Sequence, residues 1–125
     1  MRDHGLIIST TDLERLQPVF DGNDTPAAEL LDFELRRATI VPPHEVPPDV
    51  VTMNTDVIYE DVDNAMQRRV RVVLPHDADP KHGHISVLAP IGSALLGLRV
   101  GQSITWRVPS GTKHIRVVEI ANQQR

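Results

Sequence analysis

The chain of 125 residues contains no cysteine, so disulfides, thiolate nucleophiles and cysteine metal ligands are all excluded. Aromatic residues are almost as scarce: Phe20, Phe33, Tyr59 and Trp106 are the only four. A core must then be assembled from Val, Ile and Leu, which favours a β-rich body. Long apolar runs are missing too. The opening Met1-Arg2-Asp3-His4-Gly5-Leu6-Ile7-Ile8-Ser9 is too short for a signal peptide, and nothing approaches the roughly 20 apolar residues of a membrane span. The expected compartment is the cytoplasm, with no membrane partner. Positive charge is in deficit, at 13 Lys and Arg against 17 Asp and Glu, a net charge of −4. An acidic chain repels phosphate backbones, so direct nucleic-acid binding is disfavoured as the main activity.

Proline, by contrast, is plentiful, and it divides the chain. Pro42, Pro43, Pro47 and Pro48 forbid both helix and central strand across 42–48. That segment reads as a stiff, extended connector. Before it, Thr11-Asp12-Leu13-Glu14 has the form of a capping box. Leu13, Leu16 and Phe20 follow at helical spacing. The turn formers Asp21-Gly22-Asn23-Asp24 stop this helix, and Thr25-Pro26 starts another. In the second helix Ala27, Leu30, Leu31, Leu35 and Ala38 form the apolar stripe, while Glu29, Asp32, Glu34 and Arg36 face solvent. Two short helices of this kind predict an antiparallel hairpin over 1–41. It is too short to be stable alone, so it must lean on another element.

From Asp49 the period becomes two. Val51, Met53, Thr55, Val57 and Tyr59 predict one face of a long strand with a bulge near Asn54. Glu60 to Asn64 is a polar turn. Val70, Val72 and Leu74 alternate with Arg69, Arg71 and Val73, giving one buried and one largely basic face. A loop over 75–83 leads to a short strand at Ile85–Ala89. About two helical turns follow Pro90, and Gly97 lies near their end. Ile104, Trp106 and Val108 predict a fourth strand. Val108-Pro109-Ser110-Gly111 is a hairpin turn, and Ile115–Ile120 is the last strand. The expected fold is α+β: a short helical hairpin (1–41), the connector (42–48), and an antiparallel β-domain with one helix (49–125).

These residues carry a family likeness. The run Ile85-Ser86-Val87-Leu88-Ala89-Pro90-Ile91-Gly92-Ser93-Ala94-Leu95-Leu96-Gly97-Leu98-Arg99-Val100-Gly101 resembles the C-terminal domain of Gre-type transcript-cleavage factors. Pro109-x-Gly111 with Ile115 to Ile120 resembles the final hairpin of that domain. Asp49-Val50-Val51-Thr52-Met53-Asn54-Thr55, the prolines before it and Ala94 to Gly101 are closer still to the Rnk family, regulators of nucleoside diphosphate kinase. The resemblance implies an FKBP-like β-domain that docks on core RNA polymerase near the secondary channel, with the hairpin projecting toward the channel. In Gre factors the hairpin is long, and acids at its tip help hold a second catalytic Mg²⁺ in the polymerase site. Here the tip offers Asp21 and Asp24, the surrounding cleavage motif is absent, and the arms are far shorter. Ligation requires contact at about 2 Å, so an acid that falls short of the metal contributes nothing. The plain reading of Asp21 and Asp24 is turn and helix-start chemistry.

The candidate docking patch is Pro90, Ile91, Gly92, Leu95 and Leu96, weighed against ordinary packing of that helix on the sheet. His76, His82 and His84, with Asp77 and Asp79, are considered for a metal, but the spacing matches no familiar ligand set and none is expected. Arg36, Arg37, Arg68, Arg69 and Arg71 are either a solvated strand face with dipole-matching charge at a helix end, or a face for an acidic surface or RNA. No nucleophile elbow or phosphate loop is present, and the sheet domain lacks the aromatic pocket a prolyl isomerase needs. The expectation is a non-catalytic polymerase-binding regulator with no cofactor, competing with Gre-like factors. The alternatives are a cleavage factor using Asp21 and Asp24, or a protein that binds the kinase directly. A hairpin on a stiff arm is also an element that dimers exchange, so monomer and homo-oligomer both stay open.

Overall fold

The computed structural model describes residues 6–21, 23 and 25–121. Strand β1 (Ile7–Ser9) runs directly into helix α1 (Thr10–Phe20). Ser9 caps the helix, its Oγ accepting from the Asp12 N–H at 2.9 Å. The helix therefore begins before the Thr11-to-Glu14 box the sequence suggested. The cap belongs to the residue that leaves the strand. Helix α2 (Pro26–Arg36) starts as expected, with Thr25 accepting from the Ala28 N–H at 3.3 Å and Pro26 in the first turn. Asn23 supports this start by accepting from the Thr25 N–H at 3.1 Å. The buried phase of α2 is Ala28, Leu31, Glu34 and Leu35. Leu30 and Phe33, one of them expected inside, each keep half their surface exposed, and Glu34 is buried instead. Ala28, Leu31 and Leu35, spaced three and four apart, set the buried stripe, and Leu30 falls about 100° to one side of Leu31.

After α2 the chain forms β2 (Thr39–Val41), which pairs in parallel with β1, Ile8 opposite Ile40. A parallel pair needs a crossover, and here the helical hairpin is that crossover. Strands of three residues are too short to carry a period-two signal, so neither was expected. The prolines that follow are only partly extended, since Pro43–Glu45 makes a single 3₁₀ turn.

The main sheet has the order β5-β4-β3-β7-β6. Its strands are β3 (Asp56–Asp61), β4 (Met66–Val73), β5 (His84–Ser86), β6 (Ser103–Val108) and β7 (Gly111–Ala121), with helix α3 (Pro90–Leu95) between β5 and β6. The β3–β4, β3–β7 and β6–β7 pairs are antiparallel, but β4–β5 is parallel, so the sheet is mixed rather than wholly antiparallel. The reason is the loop after β4. Its two 3₁₀ turns carry the chain back along the sheet before β5 begins, and Asp79 bridges His84 on the way. The predicted long strand is divided. Burial alternates from Val51 to Asp61, yet a turn with Asn54 at φ 63° separates Val51 and Met53 from β3. The register shift itself lies between Ile58 and Tyr59.

The hairpin leans on the β-domain through one continuous core. Leu6, Ile8, Leu16, Leu31 and Leu35 join Val51, Val57, Val72, Leu95, Leu96, Leu98, Ile115 and Val117. Backbone bonds weld the junction: Ile7 N–H to Gly97 O at 3.4 Å, Gly97 N–H to Val51 O at 3.0 Å and Val51 N–H to Leu98 O at 2.8 Å. Asp12, only 3% exposed, completes it. One carboxylate oxygen accepts from the Met53 N–H at 3.0 Å and the other from Arg15 at 2.9 Å. Burial pushes the Asp12 carboxyl above its ordinary value, outweighing the Met53 N–H and Arg15, which act to lower it. Helix α3 is fixed by close approach. A Cβ on Gly92 would lie 2.1 Å from the Ser86 carbonyl oxygen, and Ser93 Oγ donates to the Val87 carbonyl at 2.8 Å.

Asp12→Ala leaves the buried Met53 N–H without an acceptor and should cost about 1–3 kcal/mol in urea unfolding. Asp12→Asn keeps an acceptor and should cost less. Because the folded-state pKa of Asp12 is raised, its contribution is greatest below the ordinary carboxylate value and declines as pH rises through the folded value. The wild type should thus gain on Asp12→Asn as pH falls; a difference independent of pH would show the carboxyl to be unperturbed. Gly92→Ala must displace α3 from Ser86 and should lower stability by about 1–3 kcal/mol or more, whereas Ser110→Ala, at an exposed turn position, should be near neutral.

Candidate functional site

The predicted docking patch separates into two layers. Gly92, Leu95 and Leu96 are interior, Leu95 at 0% and Leu96 at 1% exposure, so they cannot touch a partner and are corrected to core positions. The small residue at 92 serves the α3–β5 approach. Pro90 is exposed and Ile91 half-buried at the N-terminal end of α3. Both border a shallow cleft of about 350 Å³, together with Tyr59, Val70, Ile85 and Lys113.

Strand pairing explains how those residues meet. Tyr59 on β3 stands opposite Arg68 on β4, and the adjoining cleft, about 570 Å³, is lined by Tyr59, Arg68, Val70 and Ile85. Burial raises the Tyr59 phenol, while Arg68 and Lys113 oppose that shift, so the hydroxyl is protonated and available to hydrogen-bond at neutral pH. Lys113 on β7 donates to Asp61 Oδ2 at 3.0 Å, as does the Asn64 side chain at 3.0 Å. The Asn64 amide and then the Lys113 ammonium hold Asp61 below the usual carboxylate range. Its other oxygen, Oδ1, is buried without a hydrogen-bond partner among the described residues. The surface thus combines an apolar floor with a rim that carries Arg68 and the Lys113–Asp61 ion pair. Tyr59, Arg68, Lys113 and Asp61 were not anticipated as a group. One signal was present: Asp61 continues the Val57–Tyr59 register, which puts an acid on the inward face.

The hairpin tip lies elsewhere. Asp21 is exposed and accepts only weakly from Gln17, at 3.4 Å. Asp24 lies outside the described residues. Asp21, Asn23 and Thr25 line one side of a cleft whose other side is Leu74, Pro75, His76 and Leu88. The tip therefore faces the chain's own β-domain. Helices of 11 residues give arms of about 16 Å.

The basic residues are largely paired. Asp56 receives Arg71 at 2.7 Å and Arg69 at 3.0 Å, and Arg71 foremost lowers its carboxyl. Arg36 pairs with Asp32 at 3.1 Å. Arg37 stacks over the Phe33 ring, 5.7 Å from its centre. His82 binds Asp79 at 2.7 Å and His76 approaches Asp77 at 3.5 Å. Among the described residues no group of three or more His, Asp or Glu side chains is arranged to hold a metal. No helix among them is long and apolar enough to cross a membrane.

Two family models divide the chain. The Rnk N-terminus matches residues 6–41, and the transcription elongation factor GreA/GreB C-terminal region matches residues 45–122. The chain is 40% identical to the regulator of nucleoside diphosphate kinase of Escherichia coli K12, over 94% of this chain and 90% of that protein. It is 37% identical to the transcription elongation factor GreA of Syntrophotalea carbinolica over 73% of this chain, but spans only 58% of that factor. Among solved structures, a prokaryotic transcription elongation factor GreA/GreB from Nitrosomonas europaea matches with a TM-score of 0.78 and 40% identity, covering 94% of this chain and 98% of that one. An N-terminal βααβ unit and a GreA/GreB-type sheet domain, matched together across nearly the whole chain, mean that this protein belongs to the Rnk family of nucleoside diphosphate kinase regulators.

Proposed function

We propose that this protein is a non-catalytic regulator that binds core RNA polymerase near its secondary channel and competes there with Gre-like factors. Residues 49–125 form the docking body in this reading, residues 1–41 a short plug, and 42–48 the stiff link between them. The observation that carries it is reach. Arms of about 16 Å, anchored at their base and with Asp21 beside the chain's own Leu74–His76 loop, give that carboxylate little reach toward a metal centre inside another protein. A carboxylate acts on a metal only by direct ligation. Binding, rather than chemistry, is then the activity, and no cofactor is needed.

The contact surface would centre on Pro90 and Ile91 beside the Tyr59–Lys113 cleft. Its apolar floor, with the Arg68 guanidinium in the adjoining cleft, suits a protein surface that offers an aliphatic side chain next to an acid. An effect on nucleoside diphosphate kinase would follow through transcription. The name of the Escherichia coli relative also admits direct contact with the kinase. Retention of kinase without polymerase subunits in a pull-down would favour that second reading.

Co-purification with core polymerase, followed by competition with a cleavage factor, tests the proposal. The wild type should displace the factor from the enzyme. Ile91→Glu should weaken binding by about tenfold or more, roughly 1.4 kcal/mol, while Asp21→Ala should leave it unchanged. In a halted, backtracked complex the wild type should produce no RNA shortening. Shortening that depends on Asp21 and Asp24 would overturn the reading, as would failure to associate with polymerase at all.

A further inference from the structure

We propose that the outer face of α2 is a self-complementary interface on which a second copy of this chain docks, antiparallel and about a two-fold axis near Phe33. Leu30 and Phe33 are each 50% exposed, although both are large and apolar and occupy one face of the helix. Arg37 covers one side of the Phe33 ring without burying it. Ala28, Leu31 and Leu35 enter the core, and Arg36 pairs with Asp32 beside this face while keeping 76% of its side chain exposed, within reach of a second carboxylate.

Charge order along this face selects the occupant. Glu29 lies one turn before Phe33 and Arg36 just under one turn after it. Being seven residues apart, the two share a flank of the helix. Leu30 and Arg37, also seven apart, share the opposite flank. Two such faces related by a two-fold axis through Phe33 bring Glu29 of each copy beside Arg36 of the other. Leu30 then meets the Arg37 stem of the second copy, and the two Phe33 rings meet at the centre. A parallel arrangement would instead set like charges together. Acid-first, base-last order also suits the helix dipole by itself, so the exposed Leu30–Phe33 pair is the independent observation that calls for a partner. An 11-residue helix face is small beside a standard interface of about 1,600 Å². The dimer is therefore a weak one that depends on concentration. This inference does not rest on polymerase binding.

Sedimentation velocity on the full chain over a concentration series tests it. The wild type should show a monomer–dimer equilibrium, and Phe33→Glu should be monomeric with an unchanged circular dichroism spectrum. Glu29→Arg alone sets Arg against Arg, and Arg36→Glu alone sets Glu against Glu. Each should weaken the dimer by about tenfold, and an equimolar mixture of the two should restore it, because both crossed pairs are then of opposite sign. A wild type that is monomeric at every concentration would overturn the proposal. A dimer that survives Phe33→Glu, or a mixture no stronger than either variant alone, would do the same. If the wild type is monomeric and Phe33→Glu loses polymerase binding, the face belongs to polymerase and the proposal fails.

Discussion

Asp12 and the strand before it hold the helical hairpin at its base, and the character of the molecule depends on that attachment. A pair of 11-residue helices has little stability of its own. Here Leu16, Leu31 and Leu35 bury themselves in the same core as the sheet, and the Met53 N–H meets a carboxylate from the first turn of α1. Placing an acid at that buried position is costly, as its raised pKa records. The return is directional: a hydrogen bond across 41 residues of sequence orients α1 against the Met53–Asn54 turn, where apolar packing alone would permit sliding. The arms are short, and their tip lies beside the chain's own Leu74–His76 loop.

The β-domain distributes its charge in a complementary way. On one face of β4, Arg69 and Arg71 converge on Asp56, so an apparently basic stripe is locally neutral. On the other face the sheet is incompletely covered, because α3 is only six residues long. Tyr59, Val70 and Ile85 are left at the floor of clefts rimmed by Arg68 and Lys113. Gly92 permits α3 to approach β5 closely, and Pro90 and Ile91 stand at the edge of the uncovered region as a consequence. Core packing and the candidate contact surface are thus two results of one short helix.

Much of this was legible in the chain. The 3.6-residue spacing gave both helices, the switch to period two gave the sheet, and Pro109-Ser110 gave the last hairpin. Three features were not. β1 and β2 have three residues each, below the length at which alternation can be read. The parallel β4–β5 pair depends on the path of the loop over 74–83, which propensity does not encode. The α2 phase was misread because Leu30 and Leu31 compete for the same stripe, and only the surrounding core decides between them. For the site, Leu95 and Leu96 stayed open between docking and core packing because nothing local distinguishes a docking leucine from a packed one. The Asp61–Lys113 pair joins residues 52 positions apart, so spacing could not reveal it.

The tip of the hairpin lies at the side of its own β-domain. Because the sequence has no cysteine, Asn23→Cys provides a unique attachment point for an iron chelate that cuts nearby backbone by hydroxyl radicals. With polymerase present, cuts should fall in the protein's own Leu74–His76 loop. Cuts at the polymerase residues that hold the catalytic metal would contradict this placement.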